Sequence, residues 1–122
     1  MDHETDRTKQ GLGRYGEALA ARDLTAAGMV LLARNWRSPS GEIDLLLREG
    51  DVLVVCEVKT RSGAAFGGGY EAVTRAKRRK VRNLADAFLQ GNAFERARVR
   101  FDVASVWVGP RGADVEIFED AF

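Results

Sequence analysis

Two apolar runs, Ile43 to Leu47 and Val52 to Val58, dominate the hydrophobic pattern, separated by Arg48-Glu49-Gly50-Asp51. A glycine beside an acidic residue favours a tight hairpin, and runs this continuously apolar cannot leave one face in water. The pattern therefore predicts two central strands of a covered sheet. Upstream, residues 8–27 follow helical spacing, with Gly13, Gly16, Ala20, Ala21, Leu24 and Ala27 forming a stripe of small and apolar residues suited to close packing on a sheet. Gly28 is expected to end that helix, Met29 to Arg37 reads as a strand, and Ser38-Pro39-Ser40-Gly41 is a turn. Downstream, Thr74 caps a helix from Arg75 to Gln90, whose buried stripe is Val73, Val81, Leu84, Ala85 and Phe88, with Gly91 as its stop. Val99 to Val108 and Val115 to Phe118 read as strands joined through Gly109 to Asp114, with Trp107 in the core. Helix, three strands, helix and two strands predict an α/β fold with a mixed sheet flanked by helices.

A chain of 122 residues has the length for a single covered sheet, hence one domain over 1–122, with residues 1–10 expected to be flexible and His3 without a role. The net charge of +1 and pI near 7.9 exclude a strongly basic nucleic-acid coat, so any such contact must come from local patches. Cys56, the single cysteine, reads as a small core hydrophobe, and one cysteine can form neither an intrachain disulfide nor a thiolate zinc cluster. Without a signal-peptide core or a membrane-length apolar run, the expectation is a cytoplasmic protein with no membrane partner.

The outer ends of the central strands carry Glu42, Asp44, Glu57 and Lys59, and charges at the ends of buried strands are costly unless paired or bound to a metal. Alternation puts Glu57 and Lys59 on one face. A two-residue loop at Glu49-Gly50 or Gly50-Asp51 brings Asp44 to that face, with direct pairing for the second; a three-residue loop would split them across the sheet. Such a cluster suits magnesium or manganese, which polarises a phosphoryl oxygen while a neighbouring ammonium orients water. The alternative is an ordinary strand end whose charges reach solvent.

Two helical wheels aim further ionisable groups at the same place. Glu17 falls within the small-residue stripe of the first helix, unless it serves as a first-turn dipole carboxylate. Lys77 falls within the apolar stripe of the second helix, one turn before Val81, and with Glu42 forms a second tier of candidates. Arg75, Arg79 and Arg82 point the other way and read as a solvated face or a secondary backbone contact. Arg37 and Arg61 are the nucleic-acid-contacting candidates, and Trp36 reads as core. The run Ser62 to Gly69 reads as a mobile connector or a substrate-covering loop.

Gly41-Glu-Ile-Asp-Leu45 followed by Glu57-Val-Lys-Thr-Arg61 resembles the YraN-like family of uncharacterised bacterial proteins, itself similar to the restriction-endonuclease-like superfamily and its Holliday-junction-resolvase branch. The resemblance runs from about Gly13 to Val103 and takes in Glu17, Arg34-Asn35, Phe66-Gly67, Glu71-Ala72-Val73, Lys77 and Arg100-Phe-Asp-Val103. It implies a restriction-endonuclease-like core, Asp44 and Glu57 as metal ligands, Lys59 as the amine assisting water, and Glu17 as an auxiliary carboxylate. Ile43 departs from the proline that often precedes the aspartate in these nucleases. The implied function is a magnesium-dependent endonuclease or phosphodiesterase acting on DNA, including branched or structured DNA, with a homodimer by analogy. The alternative is a non-catalytic nucleic-acid-binding or scaffold protein that keeps the fold. Asp102 reads as structural, paired with Arg100 or Arg98.

Overall fold

The computed structural model describes residues 2–63, 73–90 and 98–122, with side chains described from residue 10. Its elements are α1 (Asp2–Ala26), β1 (Val30–Ser38), β2 (Gly41–Glu49), β3 (Val52–Ser62), α2 (Arg75–Gln90), β4 (Arg98–Gly109) and β5 (Gly112–Phe118). This is the expected order, and it builds one five-stranded mixed sheet, β1-β2-β3-β4-β5. Every neighbouring pair is antiparallel except β3 and β4, which run parallel and are joined across α2. The expected glycine stop at Gly91, the motif segments Phe66-Gly67 and Glu71-Ala72, and nearly all of the glycine-rich run after Ser62 lie outside the described residues.

The helices cover opposite faces. Leu19, Ala20, Ala21 and Leu24 of α1 pack with Leu45, Leu47, Val54, Cys56, Ala104 and Val106. Val81, Leu84, Ala85 and Phe88 of α2 pack with Ile43, Leu46, Leu53 and Val55. Both central runs are therefore buried from two sides, with Leu45, Leu46, Leu47, Val54, Val55 and Cys56 all at 0% exposure. Trp36 joins the α2-side core, edge-on to Phe88 at 5.5 Å.

Glycine sets two local features of α1. At its end, Gly28 (φ +105°) donates to Thr25 O at 3.0 Å and Met29 N to Leu24 O at 3.1 Å, the two bonds of a Schellman stop with Met29 and Leu24 in the same apolar cluster. In its middle, Gly16 lies so close to β3 that a Cβ there would overlap the Thr60 side chain. Only part of the predicted stripe makes this contact, because Ala27 is exposed and a Cβ on Gly13 would meet nothing.

Several boundaries differ from expectation. The first helix begins at Asp2 rather than near residue 8, which places Glu17 in mid-helix and removes the first-turn reading. The central strands extend outward to Gly41 and Ser62, because β2 keeps pairing with β1 and β3 with β4 after the two part company. Trp107 is half-exposed rather than core. It lies at the turn end of the β4–β5 hairpin, four residues past Val103, the β4 residue beside Val73 and Lys77 of the α2 end.

Candidate functional site

The β2–β3 hairpin turns at Gly50-Asp51, with Gly50 at φ +58°, and its register runs from Glu49↔Val52 to Leu45↔Cys56. That is the direct-pairing loop of the two predicted. Continued by one step it would oppose Asp44 and Glu57, but here the strands separate and side chains bridge the gap. Asp44 Oδ2 accepts from Val58 N at 2.8 Å, and Asp44 N donates to Glu57 Oε2 at 3.3 Å.

The fork has a backbone cause. Asn35 in β1 is in the left-handed region (φ +52°), between the pairs Arg34↔Leu45 and Trp36↔Ile43. Around this point the alternation changes phase. Ile43 and Leu46 both pack on the α2 side, as do Ala33 and Trp36, while Leu45 packs on the α1 side. A regular pleat would put Ile43 with Leu45. The irregularity turns Asp44 along the sheet and into the gap beside Val58, where groups on either face can reach it. The parity expectation that Asp44 simply stands on the face of Glu57 is corrected accordingly.

From the α1 side comes Glu17. One oxygen each of Glu17, Glu42 and Asp44 lie within 4.8 Å of one another, a cluster that includes the second-tier Glu42. Glu17 hydrogen-bonds to Asn35, yet its Oε1 is buried with no partner among the described residues. Burial raises the Glu17 and Asp44 carboxyls above their ordinary range, and Asp44 adds to the rise at Glu17. From the α2 side comes Lys77, with Nζ 3.8 Å from Glu57 Oε1. Glu57 is 7% exposed, and burial, followed by the Asp44 charge, pushes its carboxyl up to about 7. Glu57 thus sits next to the three-carboxylate cluster, tied to it through the Asp44 N–H.

Lys59 is exposed and lines a pocket of about 130 Å³ with Glu57, Val58, Lys77, Thr74 and Val103. Of the four groups expected at the fork, Glu17, Asp44 and Glu57 meet there, with Glu42 and Lys77, while Lys59 shares a pocket with Glu57 and Lys77. The two arginines lie beyond these groups along the strands. Arg37 pairs with Glu42, Nε to Oε2 at 3.1 Å, and Arg61 stands farther along β3, in register with Trp107. Asn35 is the residue that sequence reasoning missed as part of the site. An asparagine in mid-strand, a type that tolerates left-handed backbone, is the signal that could have found it.

Asp102 belongs elsewhere. Fully buried, it takes two hydrogen bonds of 2.9 Å from the Arg100 guanidinium and one of 3.0 Å from Asp120 N, as a structural ion pair. Cys56 is buried and unpaired as expected, and burial raises its thiol far above the usual range.

Among the described residues, then, two helices flank a mixed sheet that holds a carboxylate cluster at its central fork. Residues 16–106 match the model of Uncharacterised protein family UPF0102, and the chain belongs to that family, the YraN-like one. It is 52% identical over 107 residues to a UPF0102 protein of Nocardioides sp., covering 88% of this chain and 86% of that one. A UPF0102 protein of Streptomyces coelicolor is 53% identical over 107 residues, 85% and 82% of the two chains, and one of Rhodococcus jostii is 50% identical over 113 residues, 91% and 95%. Among the described residues, no helix is long and apolar enough to cross a membrane.

Proposed function

We propose that this protein is a metal-dependent phosphodiesterase acting on DNA, built on a restriction-endonuclease-like core. The observation that carries the reading is the carboxylate fork itself. Three acidic groups from α1 and β2 converge within 4.8 Å, and a buried Glu17 oxygen lacks a partner among the described residues. Converging carboxylates at this spacing repel one another, and an oxygen without a hydrogen bond costs about 1–3 kcal/mol. A hard divalent cation with oxygen ligands relieves both, so the residues fit magnesium or manganese.

Glu17, Glu42 and Asp44 would hold the ion, with Glu57 alongside. When bound, the ion supplies Lewis-acid polarisation of a phosphoryl oxygen and a lowered pKa for water. The protein residues do the rest. Asp44 is fixed in place by the Val58 N–H. Lys77 holds Glu57 from the other face. Lys59, exposed at the pocket mouth, meets the substrate side and offsets charge as water adds to phosphorus and the P–O bond to the leaving sugar oxygen breaks. Branched or structured DNA is the substrate class this reading favours, by way of the resolvase resemblance alone.

A second reading, a non-catalytic nucleic-acid-binding protein, draws on the Arg37–Glu42 and Lys77–Glu57 pairs, which offset two of the carboxylates without a metal. Cleavage of labelled four-way-junction and duplex DNA in manganese, with calorimetric manganese titration, separates them. The nuclease reading expects cleavage that Asp44→Ala and Lys59→Ala both abolish, with manganese binding lost only in the first. Manganese binding equal in wild type and Asp44→Ala would rule it out.

A further inference from the structure

Helix α2 carries six cations, Arg75, Lys77, Arg78, Arg79, Lys80 and Arg82, against one carboxylate, Asp86, and has no acidic residue in its first turn. Positive charge at a helix start opposes the macrodipole, and like charges one turn apart destabilise a helix by a few tenths of a kcal/mol per pair. Among the described residues, only Lys77 of the six has a carboxylate partner. Arg75, Arg78, Arg79 and Arg82 instead line one open groove of about 400 Å³ with Asn83. Within it Arg78 Nε donates to Val73 O at 2.9 Å, and the Arg82 guanidinium lies 5.1 Å over the Phe101 ring, so two of the four cations are held in place.

A row that breaks two local rules of helix electrostatics, with no carboxylate paired to its arginines among the described residues, matches an anionic partner outside the molecule. From Arg75 to Arg82 the helix rises about 10.5 Å, the span of roughly three phosphates along one strand of a duplex. Single-stranded binding instead relies on exposed aromatic platforms. Phe101, an aromatic beside this row, is covered by Arg82. Charge lined along one side of a rigid rod fits a line of phosphates.

We propose that the arginine row of α2 is a second DNA contact, a duplex-backbone site separate from the carboxylate fork, which grips the strand running past the helix. The proposal rests on the nucleic-acid reading above and extends it to a surface outside the fork. Equilibrium fluorescence anisotropy with a labelled mixed-sequence duplex, in EDTA to prevent cleavage, tests it. Arg75→Ala/Arg79→Ala, which removes the two arginines of the row without a partner among the described residues, is expected to weaken binding on the order of tenfold for any sequence. It should also reduce the slope of log affinity against log salt by about two. Arg75→Lys/Arg79→Lys should keep the slope. Unchanged affinity and slope in the alanine variant, with an unaltered thermal melt, overturns the proposal. So does loss of binding to poly-L-glutamate without loss of duplex binding, which would assign the row to an acidic polypeptide. The fork is read separately by cleavage. A wild type that never cleaves but needs Arg75 and Arg79 for affinity sinks the nuclease reading and supports the row; a cleaving protein indifferent to them does the reverse.

Discussion

Asp44 and Glu57 close the fork between β2 and β3 jointly, one carboxylate accepting the Val58 N–H at 2.8 Å and the other the Asp44 N–H at 3.3 Å. A site carboxylate here doubles as a strand link, and the two roles can be separated. Asp44→Ala leaves a half-buried N–H without its partner and should lower stability by about 1–3 kcal/mol. Asp44→Asn retains an acceptor oxygen for Val58 and should recover most of that loss, measured by urea unfolding, while still losing manganese affinity by calorimetry. Recovery of both by asparagine would mean that the charge has no ligand role.

Glu57 gives a pH dependence of defined sign. Its carboxyl is raised from an ordinary value of 4.5 to about 7, so between those values the folded state holds a proton that the unfolded chain has released. Stability from this group is complete below pH 4.5 and declines as pH rises to about 7, by up to a few kcal/mol. Glu57→Gln should flatten that decline in urea titrations run without divalent ions. Added manganese requires ionised carboxylates at the fork and should reverse the trend in the wild type, with higher apparent stability toward neutral pH.

Gly16 controls how closely α1 approaches the sheet. A methyl group at this position would overlap Thr60, so Gly16→Ala must push the helix outward and carry the adjacent Glu17 with it. The expected cost is about 1–3 kcal/mol of stability, from overpacking, together with weaker manganese binding. Thr60→Ala in the same chain should restore part of both. A Gly16→Ala variant with normal manganese affinity would show that Glu17 is not needed at the ion.

The Arg100–Asp102 pair should behave oppositely. Arg100→Ala strands a carboxylate of 0% exposure and should cost roughly 3–5 kcal/mol, with no change in manganese affinity beyond that of unfolded protein. The thermal melt and the calorimetric titration, compared below the melting range, check this.

Much of the frame could be read from residue spacing, because its determinants are local. Gly50 and Asp51 fix the hairpin, Val81, Leu84 and Phe88 fix the buried side of α2, and small residues at 16, 20 and 21 fix the approach of α1. The inward aim of Glu17 and Lys77 followed from the same helical geometry. The exact membership of the fork did not, since alternation rules assume an uninterrupted pleat and Asn35 breaks it with one left-handed residue. That change of phase turns Asp44 sideways and brings Glu42, rather than Glu57, within reach of Glu17. Arg37 shows another limit. A cation beside an aromatic suggests phosphate, and spacing alone did not show that the register also sets Arg37 opposite Glu42, with which it pairs. The early start of α1 was hidden because Gly11 and Gly13, each costing a helix about 1 kcal/mol relative to alanine, masked a continuous element.

The parallel pairing of β3 with β4 has a kinetic corollary. Val52 meets Arg98 only after the intervening chain and α2 have been laid down, whereas Val52 meets Glu49 across a two-residue turn. Short loops close early and distant pairings late. The expectation is that the paired acidic strands organise in the folding nucleus and β4 docks afterwards. Substitutions at Gly50 should therefore mainly slow refolding, and those at Val103 mainly hasten unfolding; stopped-flow chevrons showing the reverse would mean that the sheet assembles from its other side.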